Sequence, residues 1–179
     1  FQTIYASKEG AVASPAAGLH FSREIFKRME IKGVDPVFIT LQMGLGHFRT
    51  VDVEDLSKHK IDSERVTISE ETADRINRAK SEGHKVFAVG VTVVRALETP
   101  VTTTMQVKPF DGWTNKFIFP PYTFSIPDAM VTNFHLPNST MLMSAAAFGG
   151  YENVMKAYRT AIKEGYRFGT YGDAMLIID

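Results

Sequence analysis

Lys85-Val86-Phe87-Ala88-Val89-Gly90 runs directly into Val91-Thr92-Val93-Val94-Arg95-Ala96-Leu97-Glu98. The first run is short, apolar and closed by glycine, which reads as a buried strand. The chain then turns at Gly90-Val91-Thr92 and continues as a short helix to about Glu98, with Thr92 placed to cap it. Just upstream, Ser69 opens a helix over 70–82. Glu70 and Glu71 stand in its first turn, where negative charge suits the helix dipole; Ala73, Ile76 and then Ala79 or Lys80 keep helical spacing, and Gly83 ends it. Helix, strand, turn and helix in close succession is the rhythm of an α/β fold.

The rest of the chain repeats that rhythm. Ser22 caps a helix over 22–31 carrying Ile25, Phe26 and Met29 at helical spacing, with Gly33 as its stop. Val37 to Met43 reads as a buried strand, and Arg65 to Ile68 as another. Residues 99–112 read as loop. Lys116 to Phe119 reads as a strand cut short by Pro120-Pro121. Ala129 to Phe134 is a further strand. Asn138 or Ser139 caps a helix through about Phe148, closed by Gly149-Gly150. Glu152 to Lys163 is the last helix, with Gly165 as its C-terminal cap, and Ala174 to Ile178 ends the chain as a strand. The expected class is α/β: a parallel or mixed sheet covered by helices on both faces, a three-layer sandwich.

The 179 residues suit one domain, with 44% apolar and 22% charged residues. No cysteine is present, which excludes a disulfide framework, a thiolate nucleophile and Cys-ligated metal. Lys plus Arg equals Asp plus Glu at twenty each, against the basic excess usual in nucleic-acid binders. Local basic groups remain at Lys27, Arg28 and Lys32, and at Arg75, Arg78, Lys80 and Lys85, where a solvated helix face is the ordinary explanation. No apolar run approaches the ~20 residues of a membrane span. The start, Phe1-Gln2-Thr3-Ile4-Tyr5, has no basic leader and no initiator Met, and reads as cut from something longer.

Ligands of open α/β sheets bind at the carboxyl ends of strands. Four junctions there carry polar or glycine-rich chemistry. Pro15-Ala16-Ala17-Gly18-Leu19-His20-Phe21 combines small residues, which let backbone approach a ligand, with a titratable His20 ahead of a helix. Met43-Gly44-Leu45-Gly46-His47-Phe48-Arg49 has Gly44 and Gly46 but Arg49 where a dinucleotide fingerprint needs its third glycine, so a Rossmann site is a weak reading. Gly90 to Glu98 offers an amide turn with Thr92. Arg95 and Glu98, three apart, share a helix face and form either a surface ion pair or a ligand contact. Thr132-Asn133-Phe134-His135-Leu136-Pro137-Asn138-Ser139-Thr140 ends a strand with an amide, a ring and a histidine. His20, His47, His59, His84 and His135 form no HxH or HExxH pattern, and no metal site is expected.

Taken in order, these blocks resemble a known family. The first looks like P-T-A-G-L-H-F, Gly44 to Arg49 like G-L-G-T-F, and His59 to Glu64 like H-x-M-H-x-E. Gly90 to Glu98 is similar to G-T-T-x-x-R-x-L-E, Gly112-Trp113-Thr114 to G-W-T, and Thr132 to Thr140 to T-N-F-H-L-P-x-S-T. Tyr166-Arg167-Phe168 with Tyr171 to Ile177 resembles Y-R-F-x-S-Y-G-D-A-M-L-I. The family is that of the S-adenosylmethionine:tRNA ribosyltransferase-isomerases of queuosine biosynthesis. His47 and Val91 stand where Thr is frequent, and Asp62 where His is frequent. The resemblance spans essentially the whole chain and implies the C-terminal half of a protein about twice as long. Residues 1–179 would then be the C-terminal portion of the α/β catalytic domain, with the N-terminal half and its inserted β-barrel absent from this chain.

The resemblance also implies a reaction. The ribosyl moiety of S-adenosylmethionine is transferred and isomerised onto 7-aminomethyl-7-deazaguanine at the tRNA wobble position, giving epoxyqueuosine, adenine and methionine. No metal or redox cofactor takes part; S-adenosylmethionine is a substrate. A base removes a proton from the ribose carbon next to the sulfonium, and an acid protonates departing adenine. By the same resemblance, His135, His20 and Asp173 are the expected catalytic residues. Gly18, Gly44, Gly46, Thr92, Arg95, Glu98 and Asn133 are the expected substrate contacts, Arg95 toward the methionine carboxylate. A cytoplasmic monomer without membrane contact is expected. The alternative is a non-catalytic piece that binds S-adenosylmethionine or tRNA only.

Overall fold

A computed structural model describes residues 1–178. In chain order the regular elements are α1 (Arg23–Ile31), β1 (Thr40–Gln42), β2 (Glu64–Ile68), α2 (Glu70–Ser81), β3 (Phe87–Val89), α3 (Val91–Leu97), β4 (Phe110–Thr114), β5 (Ala129–Asn133), α4 (Thr140–Gly149), α5 (Tyr151–Lys163) and β6 (Ala174–Ile178). Short 3-10 turns lie at Ala16–His20, Leu45–Phe48 and Leu56–Lys58. Three helices start where a serine accepts a backbone N–H from the first turn: Ser22 from Ile25 (3.3 Å), Ser69 from Thr72 (3.1 Å) and Ser139 from Leu142 (3.2 Å). Among the described residues, no helix is long and apolar enough to cross a membrane.

The strands form two three-stranded sheets. The first, ordered β1-β2-β4, is antiparallel throughout. The second, ordered β3-β5-β6, is mixed: β3 and β5 run parallel, β5 and β6 antiparallel. The α/β class and the mixed sheet are as expected. Three local expectations are corrected. The first strand is Thr40–Gln42, half-buried at the edge of its sheet, rather than the buried run Val37 to Met43. Lys116 to Phe119 is not a strand; the strand is Phe110–Thr114, which begins inside the expected loop. That stretch pairs along its whole length with β2, and this long-range pairing outweighs the local β-propensity of 116–119. The cap of α3 is Gly90 rather than Thr92: with φ at 104°, the chain leaves β3 through a conformation that β-carbons resist.

α3 explains how the two sheets hold together. Val91, Thr92, Val94, Arg95, Ala96 and Leu97 are all buried. Ala96 and Leu97 join Val66 and Ile68 of β2, Ala73 and Ile76 of α2, and Ile126. Val91 and Val94 join Ala88, Met130, Ile118 and Ala145, with Ile177 packed against them. Ala88, Met130 and Ile177 lie in register across the second sheet, so they mark its covered face. On the opposite face Phe87, Leu176 and Ile178 each keep more than half their surface exposed.

Candidate functional site

The carboxyl ends of β3 and β5 lie side by side, tied by Gly90 N–H donating to Val131 O (2.8 Å). At this end the 16–20 turn, the loop after β5 and the 167–173 loop before β6 come together. His20 Nε2 stands 3.0 Å from Asn133 Oδ1. Asn133 is buried, and its Nδ2 donates to Gly169 O (3.2 Å) and Thr170 O (3.5 Å). Two carbonyls facing Nδ2 fix which end of the amide is which, so Oδ1 must accept. His20 therefore carries its proton on Nε2, and in the neutral ring Nδ1 keeps its lone pair for another partner.

Asp173 shuts the same loop. Its Oδ2 accepts from Arg167 N–H (2.7 Å) and its Oδ1 from the Arg167 guanidinium (3.2 Å). These bonds hold the carboxyl below the usual Asp range, and the nearby charge of His20 adds in the same direction. An ionised Asp173 is an electrostatic neighbour of His20, not a proton donor at neutral pH.

His135, the other expected acid or base, has a different setting. Its Nε2 shares a hydrogen bond with Thr132 Oγ1 (2.6 Å), and its backbone N–H donates to the Tyr158 hydroxyl (2.6 Å). Burial, with a smaller push from His47, lowers its pKa to about 4. The ring is neutral at pH 7, and one nitrogen is already engaged.

Arg95 does not pair with Glu98, contrary to the helix-face expectation. It is 4% exposed and its guanidinium meets Glu64. Glu64 points inward from β2 on the same face as Val66 and Ile68, and its other oxygen accepts Gly44 N–H (3.0 Å). Glu98 instead accepts from Ser125 N–H (2.9 Å), Ile126 N–H (2.9 Å) and the Tyr122 hydroxyl (3.1 Å), holding the 122–126 loop. Both side chains are thus engaged within the protein rather than turned to an open cleft. Their distance in space, not their spacing in sequence, decides their partners.

The glycines and Thr92 also have packing reasons. A β-carbon on Gly18 would run into the Tyr5 hydroxyl, and one on Gly46 into the Asp62 carboxylate. Gly44 contributes its amide to Glu64. Thr92 lines a small cavity with His47, Arg95, Thr140 and Ser144. His47 is 4% exposed and neither ring nitrogen has a hydrogen-bond partner among the described residues; Nδ1 lies 3.7 Å from Glu64 Oε1. Burial pushes its pKa down, Glu64 pulls against that, and Arg95 adds to it. Glu64 closes the His59 to Glu64 block, but the sequence reading gave it no role. The available signal was an acid in phase with the apolar positions 66 and 68 of an alternating strand.

The model of the queuosine biosynthesis protein family matches residues 1–177. The chain belongs to that family. It is 63% identical over 179 residues to the S-adenosylmethionine:tRNA ribosyltransferase-isomerase of Phocaeicola vulgatus, covering all of this chain and 51% of that protein. The same figures hold for the protein of that name from Bacteroides fragilis. The crystal structure of S-adenosylmethionine tRNA ribosyltransferase from Thermotoga maritima superposes with a TM-score of 0.75 at 40% identity, covering 90% of this chain and 51% of that one. The chain spans about half the length of the curated relatives it matches. Within this queuosine biosynthesis family member, the segments that bear the resemblance do not all meet. Residues 16–20, 132–135 and 167–173 gather around Asn133. The 44–51 arm reaches the loop after β5 through Val51 N–H donating to Asn138 O (2.7 Å).

Proposed function

We propose that this chain is the C-terminal portion of the α/β catalytic domain of an S-adenosylmethionine:tRNA ribosyltransferase-isomerase. The reaction moves the ribosyl moiety of S-adenosylmethionine onto 7-aminomethyl-7-deazaguanine at the wobble position of tRNA, with isomerisation to epoxyqueuosine and release of adenine and methionine. The observation that carries the reading is the 63% identity along the whole chain to proteins of that name. The bond from His20 Nε2–H to Asn133 supports a role for His20 within this reading: its free Nδ1 would accept the proton from the carbon beside the sulfonium. A positioned base of this kind contributes ~10²–10⁴-fold. No metal or redox cofactor enters the scheme. A tRNA substrate fits a cytoplasmic enzyme, which this proposal takes to be a monomer.

The remaining half of the relatives' length covers the open sheet face in this proposal. The accessible surface is 11,008 Å², against about 8,700 Å² for a folded monomer of this mass. The excess, about 2,300 Å² on this side alone, reaches the range of an obligate interface once both sides are counted. Exposed Phe87, Leu176 and Ile178 lie on the sheet face that a second layer would close. The 179 residues alone therefore bind at most, and do not turn over.

The test is adenine release from S-adenosylmethionine by full-length protein in the presence of tRNA carrying the 7-aminomethyl-7-deazaguanine base. Release dependent on that tRNA supports the reading. Absence of release, with folded protein, overturns it. Turnover by the 179 residues alone at the full-length rate would refute the divided domain.

A further inference from the structure

Of the seven basic groups singled out in the sequence, four meet acidic neighbours; Lys32, Arg78 and Lys85 have no such partner among the described residues, but they do not share one helix face. Lys27 meets Glu30 (2.8 Å), Arg28 meets Glu24 (2.6 Å), Arg75 meets Asp35 and Glu71, and Lys80 meets Asp128 (3.3 Å) and Ile126 O (2.9 Å). α5 differs. Lys156, Arg159 and Lys163 are exposed, and none has an ion-pair or side-chain hydrogen-bond partner among the described residues. Their spacing of three and four puts them on one helix face, spread along about 10 Å. That face holds one acid, Glu152, in the first turn. Where α5 ends, the chain continues through Tyr166, Phe168 and Tyr171, each more than half exposed. The carbonyls of Gly169 and Thr170, between those rings, are the ones that orient Asn133 toward His20.

A row of unpaired cations running into exposed aromatic rings is the arrangement that binds single-stranded nucleic acid, cations to phosphate and rings to bases. We propose that the outer face of α5, continued by Tyr166, Phe168 and Tyr171, takes the backbone and unpaired bases of the RNA substrate and leads them to the His20–Asn133 end. This rests on the RNA-modifying reading above and assigns a surface to it. The overall charge balance is no obstacle, because affinity follows the local row rather than the sum.

The experiment measures binding of tRNA carrying the target base to full-length protein across a range of salt. Neutralising three phosphate contacts in single-stranded RNA lowers the slope of log affinity against log salt by about 2. The variant Lys156→Gln/Arg159→Gln/Lys163→Gln should show that drop and at least about 10-fold weaker binding at low salt, with S-adenosylmethionine binding unchanged. Lys27→Gln/Arg28→Gln, which removes paired cations, should leave the slope alone, and Lys156→Arg/Lys163→Arg should keep it. Phe168→Ala should weaken binding with no change of slope. If wild type binds tRNA and the triple variant keeps both slope and affinity, the α5 surface is wrong while the reaction stands. If wild-type protein has no tRNA affinity, both fall.

Discussion

Glu64→Gln tests the buried network that joins the two sheets. The carboxylate is 2% exposed, and its two oxygens serve the Arg95 guanidinium and the Gly44 amide. The amide of Gln keeps the size but removes the charge, and it turns one acceptor into a donor facing donors. Arg95, 4% exposed, is then left as a buried cation without its counter-charge. Breaking a buried pair on one side costs about 3–5 kcal/mol. The assay is urea unfolding at pH 7, monitored by circular dichroism. Glu64→Met/Arg95→Met should lose less than Glu64→Gln, because no charge stays buried when both partners go. A loss under about 1 kcal/mol for Glu64→Gln, the range of a solvent-exposed pair, would refute the claim that this bridge is desolvated.

The histidines give two more expected outcomes. His20→Gln in full-length protein should lower the rate of adenine release by about 10²-fold or more with little change in stability; a full rate would remove His20 as the base. His135 has its folded pKa at about 4, below the ~6.5 of an unfolded histidine. The unfolded chain therefore binds the extra proton first: above pH 6.5 the group is neutral in both states, and as pH falls from 6.5 toward 4 the fold loses up to about 3 kcal/mol. His47 acts in the same sense. His135→Asn should flatten that pH dependence of the unfolding midpoint, and an unchanged slope would sink the assignment.

Local chemistry was legible in the sequence because its determinants act within one helical turn. Ser22, Ser69 and Ser139 set the helix starts through bonds to the third residue on, and the run Arg65 to Ile68 marked most of β2. The apolar run before Gly90 announced the strand, and the ordered blocks announced the family to which the chain belongs. Pairings across the fold were not legible. His20 and Asn133 are 113 positions apart, and they meet because the 16–20 turn packs against the carboxyl end of β5. Arg95 found Glu64 rather than Glu98 because α3 is buried between two sheets, where an unpaired cation is costly and the inward-facing acid of β2 is within reach. The low basicity of His135 comes from the same source. It depends on what surrounds the ring, and the return path of the chain decides that.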